Sequence, residues 1–143
     1  MRGAARGIRI IDDYAHHPTE IRATIATARL AAGAGRVIAI FQPHRYSRTL
    51  AFSQEFATAL AAADHVVLLD IYGAGEDPIP GASSAVIAAA VNEHGGSALF
   101  EPNLIRAIDI AISYAEAGDL ILTLGAGDVT SLAPQIISAI NER

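Results

Sequence analysis

Apolar residues along this chain alternate between two rhythms. Short, nearly solid runs read as strands: Gly7–Asp12 (GIRIID), Arg36–Phe41 (RVIAIF), Asp64–Ile71 (DHVVLLDI), Ala98–Phe100 and Asp119–Leu124 (DLILTL). Between them, apolar positions recur at helical spacing. Ile21, Ile25, Ala28 and Ala32 form one stripe, and Phe52, Phe56, Ala59 and Ala63 a second. Val86, Ile87, Ala90 and Val91 form a third, Leu104, Ile108, Ala111, Ile112 and Ala115 a fourth, and Leu132, Ile136 and Ile140 a fifth. The helix ends carry local signals. Pro18 and Glu20 sit where a first turn begins, Ser83 and Asn103 are placed as caps, and Gly33, Gly35, Gly95 and Gly96 follow helices.

Strands separated by single helices require right-handed crossovers. They predict an α/β fold with a mostly parallel sheet of five to six strands and helices on both faces. The whole chain, 1–143, reads as one domain, with residues 1–6 as a boundary segment. Ligands of such sheets bind beyond the carboxyl ends of the strands, near a switch in strand order. The polar clusters fall there: Asp12–His17, Gln42–Arg48, Tyr72–Asp77 and Gly125–Asp128. The stretch Tyr72–Gly81 is long for an αβ connection, which points to function.

Composition narrows the chemistry. The chain is 52% hydrophobic with thirty alanines, and its 18 Ile, 11 Leu and 6 Val are ample for a core. No run of about 18 residues is free of polar groups, so no membrane span is expected. No leader pattern follows Met1. There is no Cys, which removes disulfides, thiolate metal sites and thiol nucleophiles. A net charge of −5 argues against nucleic acid as a partner. All ten basic residues are Arg. The chain therefore holds no P-loop lysine and no Schiff-base lysine, and phosphate chemistry must use Arg, backbone N–H groups or another domain.

Two clusters could carry chemistry. In Asp12-Asp13-Tyr14-Ala15-His16-His17-Pro18, paired carboxylates at a strand end suit a metal or ribose hydroxyls, and the imidazoles suit a metal or phosphate. Equally, Asp12 and His17 could simply hold the loop and cap the helix. No third ligand lies at helical spacing, which disfavours a metal site. In Phe41-Gln42-Pro43-His44-Arg45-Tyr46-Ser47-Arg48-Thr49, the two Arg forks match a carboxylate or phosphate. The competing reading is a solvated basic turn. The Gly-rich pieces Tyr72–Glu76 and Gly125–Asp128 are not a dinucleotide fingerprint and read as tight turns. His65 and His94 read as structural or exposed.

Read together, DDYAHHPTEI and FQPHRYSRT resemble the C-terminal domain of the Mur ligase family, in its L-alanine-adding branch. DIYGAGE at Asp70–Glu76 and GAGDV at Gly125–Val129 extend the likeness in the same order. The resemblance implies a three-layer Rossmann-like domain, the third of a three-domain cytoplasmic enzyme of peptidoglycan synthesis. It implies an ATP-dependent amide-bond-forming ligase: ATP phosphorylates the lactyl carboxylate of UDP-N-acetylmuramate, and the amine of L-alanine attacks the acyl phosphate. It implies that the P-loop and the Mg2+ ligands lie in a central domain, so that this domain alone is inactive. Carried over by position, Asp13 and Tyr14 would serve the ATP ribose and adenine. His16, His44, Arg45 and Arg48 would face the amino-acid and acyl-phosphate side. Ala15 and Gly73 depart from the residues common in that family. The alternatives are a receiver-like signalling domain, which would need a Lys that Leu124–Val129 lacks, or a stand-alone nucleotide-binding module.

Overall fold

A computed structural model describes residues 3–143. Thirteen elements follow in chain order. They are β1 (Gly3–Ala5), β2 (Ile8–Asp13), α1 (Pro18–Ala32), β3 (Val37–Phe41), α2 (Tyr46–Ala51), α3 (Ser53–Leu60), β4 (His65–Leu68), α4 (Ser84–Glu93), β5 (Ala98–Phe100), α5 (Leu104–Tyr114), β6 (Leu120–Leu124), a short 3-10 turn (Asp128–Ser131) and α6 (Leu132–Asn141).

The six strands form one sheet in the order β1-β2-β6-β3-β4-β5. Every pairing is parallel except β1 with β2. The chain steps from β2 past the place of β6 to β3, then to β4 and β5, and α5 carries it back to insert β6. Connections therefore reverse direction around β6, which makes its carboxyl end a switch point.

Side chains of successive strand residues point to opposite faces, and here that alternation feeds two separate cores. Val37, Ala39 and Phe41 of β3 pack with Ile21 and Ile25 of α1, Phe56 and Leu60 of α3, and Ile87 and Val91 of α4. Ile38 and Ile40 pack on the other face with Ile108 of α5 and Leu132, Ile136 and Ile140 of α6. β3 and β6, covered on both sides, are buried at every position.

The residues 1–6 expected to be a boundary segment are in part structural. Gly3–Ala5 pairs with Ile8–Ile10 across a two-residue turn, Arg6-Gly7, in which both φ angles are positive (48° and 80°). That geometry suits a tight hairpin. A strand of three residues has no periodicity of its own to read, and Met1 and Arg2 lie outside the described residues. One further difference concerns the second helical stripe. It is broken at Phe52, whose φ of −118° ends α2 and starts α3. α2 thus begins inside the polar cluster Gln42–Arg48. The caps behave as their chemistry dictates: Ser83 Oγ accepts the N–H of Ala85, and Asn103 Oδ1 accepts that of Arg106. Among the described residues no helix is long and apolar enough to cross a membrane.

Candidate functional site at the carboxyl edge of the sheet

Because β2, β6, β3 and β4 run parallel, their exits converge on one edge. Backbone hydrogen bonds lace these exits together. The N–H of Gly125 donates to the Asp13 carbonyl at 3.1 Å, that of Gln42 to Leu124 at 3.0 Å, and that of Tyr72 to Pro43 at 2.9 Å. Four loops expected to meet at this edge do meet there.

The loop after β3 supplies the centre. Arg45 sits at the N-cap position of α2 with φ 69° and ψ 137°, a conformation that an L side chain rarely adopts. It is held there from both sides. Its N–H donates to the Tyr72 carbonyl at 2.7 Å, and its carbonyl accepts the Thr49 hydroxyl at 2.7 Å. One turn on, an Arg48 guanidinium N–H donates to His44 Nδ1 at 3.3 Å. Glu76, from the loop after β4, caps α2 by accepting the Ser47 N–H and hydroxyl at 3.0 and 2.6 Å.

His44 is flanked by two rings. Tyr72 stacks on it with centroids 5.6 Å apart, and His16, from the loop after β2, lies 5.6 Å away on a tilted plane. Partial burial lowers the His44 pKa, and His16, Arg48 and Arg45 push it the same way; only Glu76 opposes them. The surroundings of His44 thus favour its neutral form. His16 Nδ1 lies 2.9 Å from the Tyr14 carbonyl and 3.9 Å from Glu20 Oε1.

The remaining candidates divide. Asp13 faces a groove of about 230 Å³ between α1 and the β2–β6 pair, lined by Ile11, Leu122, Ala23, Thr24 and Thr27. Its Oδ1 accepts the Ala15 N–H at 2.8 Å, so it also shapes the turn. Tyr14 is 66% exposed and projects from the edge. Asp12 belongs to the sheet, with its Oδ1 accepting the Thr123 hydroxyl at 2.7 Å. His17 packs its ring 5.2 Å from that of Phe52 and makes no side-chain cap to α1. His65 stacks on Tyr114 with centroids 4.0 Å apart and meets the Ser97 hydroxyl. Among the described residues no three His, Asp or Glu side chains converge on a possible metal site.

Two residues at this edge were named in the sequence only as parts of loops. Buried Gln42 accepts the Val129 N–H at 3.0 Å with its Oε1, and its amide reaches Asp128 at 3.4 Å. Tyr72 fills the space beside Gly127, where an added Cβ would lie 2.6 Å from Tyr72 Cγ. The Gly125–Asp128 turn is thus packed against protein, in keeping with a tight turn. A polar residue directly after five buried strand residues, and an aromatic directly before a glycine, were the available signals for these two positions.

A mostly parallel sheet covered on both faces, with its polar cluster at a switch point, defines a Rossmann-like α/β domain. Residues 1–127 match the family model for the Mur ligase, glutamate ligase domain, and the chain belongs to that family. It is 50% identical over 140 residues to UDP-N-acetylmuramate–L-alanine ligase of Saccharopolyspora erythraea, covering 98% of this chain and 29% of the relative. It is 49% identical over 143 residues to the enzyme of the same name from Kineococcus radiotolerans, covering all of this chain and 30% of the relative. The crystal structure of UDP-N-acetylmuramate-alanine ligase from Thermotoga maritima superimposes with a TM-score of 0.76 at 28% identity, over 96% of this chain and 27% of that one. The chain therefore spans under a third of the length of these relatives. The receiver-like alternative falls with the family match.

Proposed function

We propose that this domain works within a longer ATP-dependent ligase that joins L-alanine to UDP-N-acetylmuramate, binding the amino acid and part of the ATP. The observation that carries the reading is the gathering of His16, His44, Arg45 and Arg48 at one edge, in a chain about half identical to ligases named for that reaction. L-alanine offers almost no side chain, so its carboxylate is the main handle. A planar guanidinium fork suits a carboxylate, and a second Arg beside it tightens and orients the hold. Asp13, with one oxygen in the turn, keeps the other for ribose hydroxyls, and the exposed Tyr14 ring offers adenine a stacking face. The chain has no lysine, so a P-loop lysine for the phosphoryl transfer would come from another part of the enzyme.

In the full-length ligase, Arg45→Ala and Arg45→Lys should be similarly damaging, because an ammonium cannot reproduce a two-pronged contact. Loss of a charge-assisted contact of ~1.5–3 kcal/mol lowers kcat/KM for L-alanine by roughly 10- to 150-fold, with ATP much less affected. Unchanged L-alanine kinetics in both Arg45→Ala and Arg48→Ala would make the pair a solvated turn. Because the family model is described as a glutamate ligase domain, glutamate is the competing amino acid in that assay. The chain by itself should release no phosphate from ATP.

A further inference from the structure

The two histidines at the centre of the site are fixed in opposite tautomers by their own neighbours. Arginine is a donor only, so the Arg48 N–H facing His44 Nδ1 at 3.3 Å requires a lone pair on that nitrogen. A neutral His44 then carries its proton on Nε2. A backbone carbonyl is an acceptor only, so the Tyr14 oxygen 2.9 Å from His16 Nδ1 requires a proton there. A neutral His16 then carries its lone pair on Nε2. Among the described residues neither Nε2 has a protein partner, and the rings are 5.6 Å apart, so one small molecule can touch both.

From this geometry we infer that His16 and His44 form a complementary pair, in which His16 Nε2 accepts a proton from the incoming ammonium and the His44 Nε2–H donates a hydrogen bond to an oxygen of the same ligand or of its acceptor. The inference rests on the ligase reading above for its substrate, an amino-acid zwitterion. An ammonium has no lone pair and cannot attack a carbonyl carbon. Transfer of one proton to His16 Nε2 leaves a neutral amine and an imidazolium, with no other reactant needed. The imidazolium keeps its Nδ1–H on the Tyr14 carbonyl and has the Glu20 carboxylate 3.9 Å away to balance its charge.

The surrounding charges enforce the division. His44 faces the cations Arg45 and Arg48 from α2 and its entry, His16 from the loop after β2, and Tyr72 and Glu76 from the loop after β4. Only Glu76 among these favours a proton on His44, and its carboxylate is already engaged by Ser47. A second proton on His44 would set an N–H against the Arg48 N–H. His16 has Glu20 on its own helix side and no arginine hydrogen-bonded to it among the described residues. The two rings are thus biased toward opposite jobs: a base at His16 and a fixed donor at His44, with Arg48 as the positioning residue that sets the donor.

Long-range 1H–15N NMR of the imidazoles in this chain tests the pairing without any ligase activity. At a pH where both rings are neutral, His16 should show a proton on Nδ1 and His44 a proton on Nε2. In Arg48→Ala, His44 should become a mixture of tautomers and titrate at higher pH, while the His16 tautomer is unchanged. The same tautomer on both rings, or a His44 indifferent to Arg48→Ala, overturns the inference. The proton transfer is tested in the full-length ligase with His16→Asn, which keeps a donor near the Nδ1 position and removes the base. At saturating amino acid, kcat should fall by about 100-fold or more, with the acid limb of its pH profile lost and KM for ATP unchanged. An active ligase whose kcat and pH profile ignore His16→Asn sinks the base assignment while leaving the ligase reading intact. A full-length wild-type protein that adds no L-alanine sinks the ligase reading, while the NMR result stands by itself.

Discussion

The Asp119 carboxylate accepts both the backbone N–H and the guanidinium of Arg36, at 2.8 and 3.1 Å, across 83 residues of chain. It also takes the Glu116 N–H at 2.8 Å. The arrangement ties the start of β6 to the start of β3, at the edge of the sheet opposite the site. Asp64 does the same between β4 and β3, accepting the Val37 N–H at 2.8 Å and a pair of contacts from Arg29 at 3.0 Å.

Both carboxylates should make the fold acid-sensitive. Burial raises each pKa, but the N–H and guanidinium donors outweigh it, and both settle below the usual carboxylate value. A group whose pKa is depressed by folding stabilises the protein above its unfolded pKa, about 3.9 for Asp, and that stability drains away as pH falls through the folded value. Urea denaturation between pH 7 and pH 3 should show stability falling below about pH 4–5. Asp119→Asn should flatten that fall. At neutral pH Asp119→Ala should cost about 1–3 kcal/mol for each buried donor it leaves unpaired. A pH dependence identical in wild type and Asp119→Asn would remove this carboxylate from the account.

Arg45 should be a site where stability and activity trade against each other. Its backbone lies where only glycine is comfortable, a strain of order 1–3 kcal/mol. Glycine would relieve it and lose about 0.5–1 kcal/mol through its freer unfolded chain. Arg45→Gly should therefore be at least as stable as wild type, and more stable than Arg45→Ala, in the same denaturation experiment. It should still lose amino-acid affinity with the side chain. An Arg45→Gly variant clearly less stable than Arg45→Ala would mean that the backbone is not strained.

Gln42→Leu should loosen the turn after β6. The substitution fills the same space but leaves the buried Val129 N–H without its acceptor, at about 1–3 kcal/mol. Amide exchange at Val129 and Thr130 should accelerate while β3 and β6 stay protected. Uniform acceleration across the sheet would show that Gln42 supports the whole fold instead.

How much of this was legible in the sequence followed from how local each determinant is. Pro18, Ser83 and Asn103 announce helix starts through their own side chains, and they stand at or immediately before α1, α4 and α5. Val37–Phe41 reads as a buried strand because nothing polar interrupts it, and Leu120–Leu124 because only Thr123 does. β1 exists only through its partner β2, and its three residues hold no pattern alone. The break at Phe52 falls within a continuous apolar stripe, and the ring of Phe52 meets that of His17, 35 residues earlier in the chain. At the site, the charged and imidazole groups stood out by type. Gln42 and Tyr72 did not, since their partners Val129 and Gly127 lie far along the chain and meet them only when β6 is in place.

The sheet that carries the site also insulates its two sides from each other. Ile25 of α1 and Ile136 of α6 are both fully buried, yet their clusters have no member in common. Ile25→Val and Ile136→Val should each cost about 0.5–1.5 kcal/mol. The double variant should cost their sum to within about 0.3–0.5 kcal/mol, as for distant independent sites; a larger departure would reveal mechanical coupling through the strands. With additive costs, each layer is free to drift in composition under its own constraints. The loops at the carboxyl edge, anchored to strands shared by both layers, would then keep their geometry while either flank is rewritten.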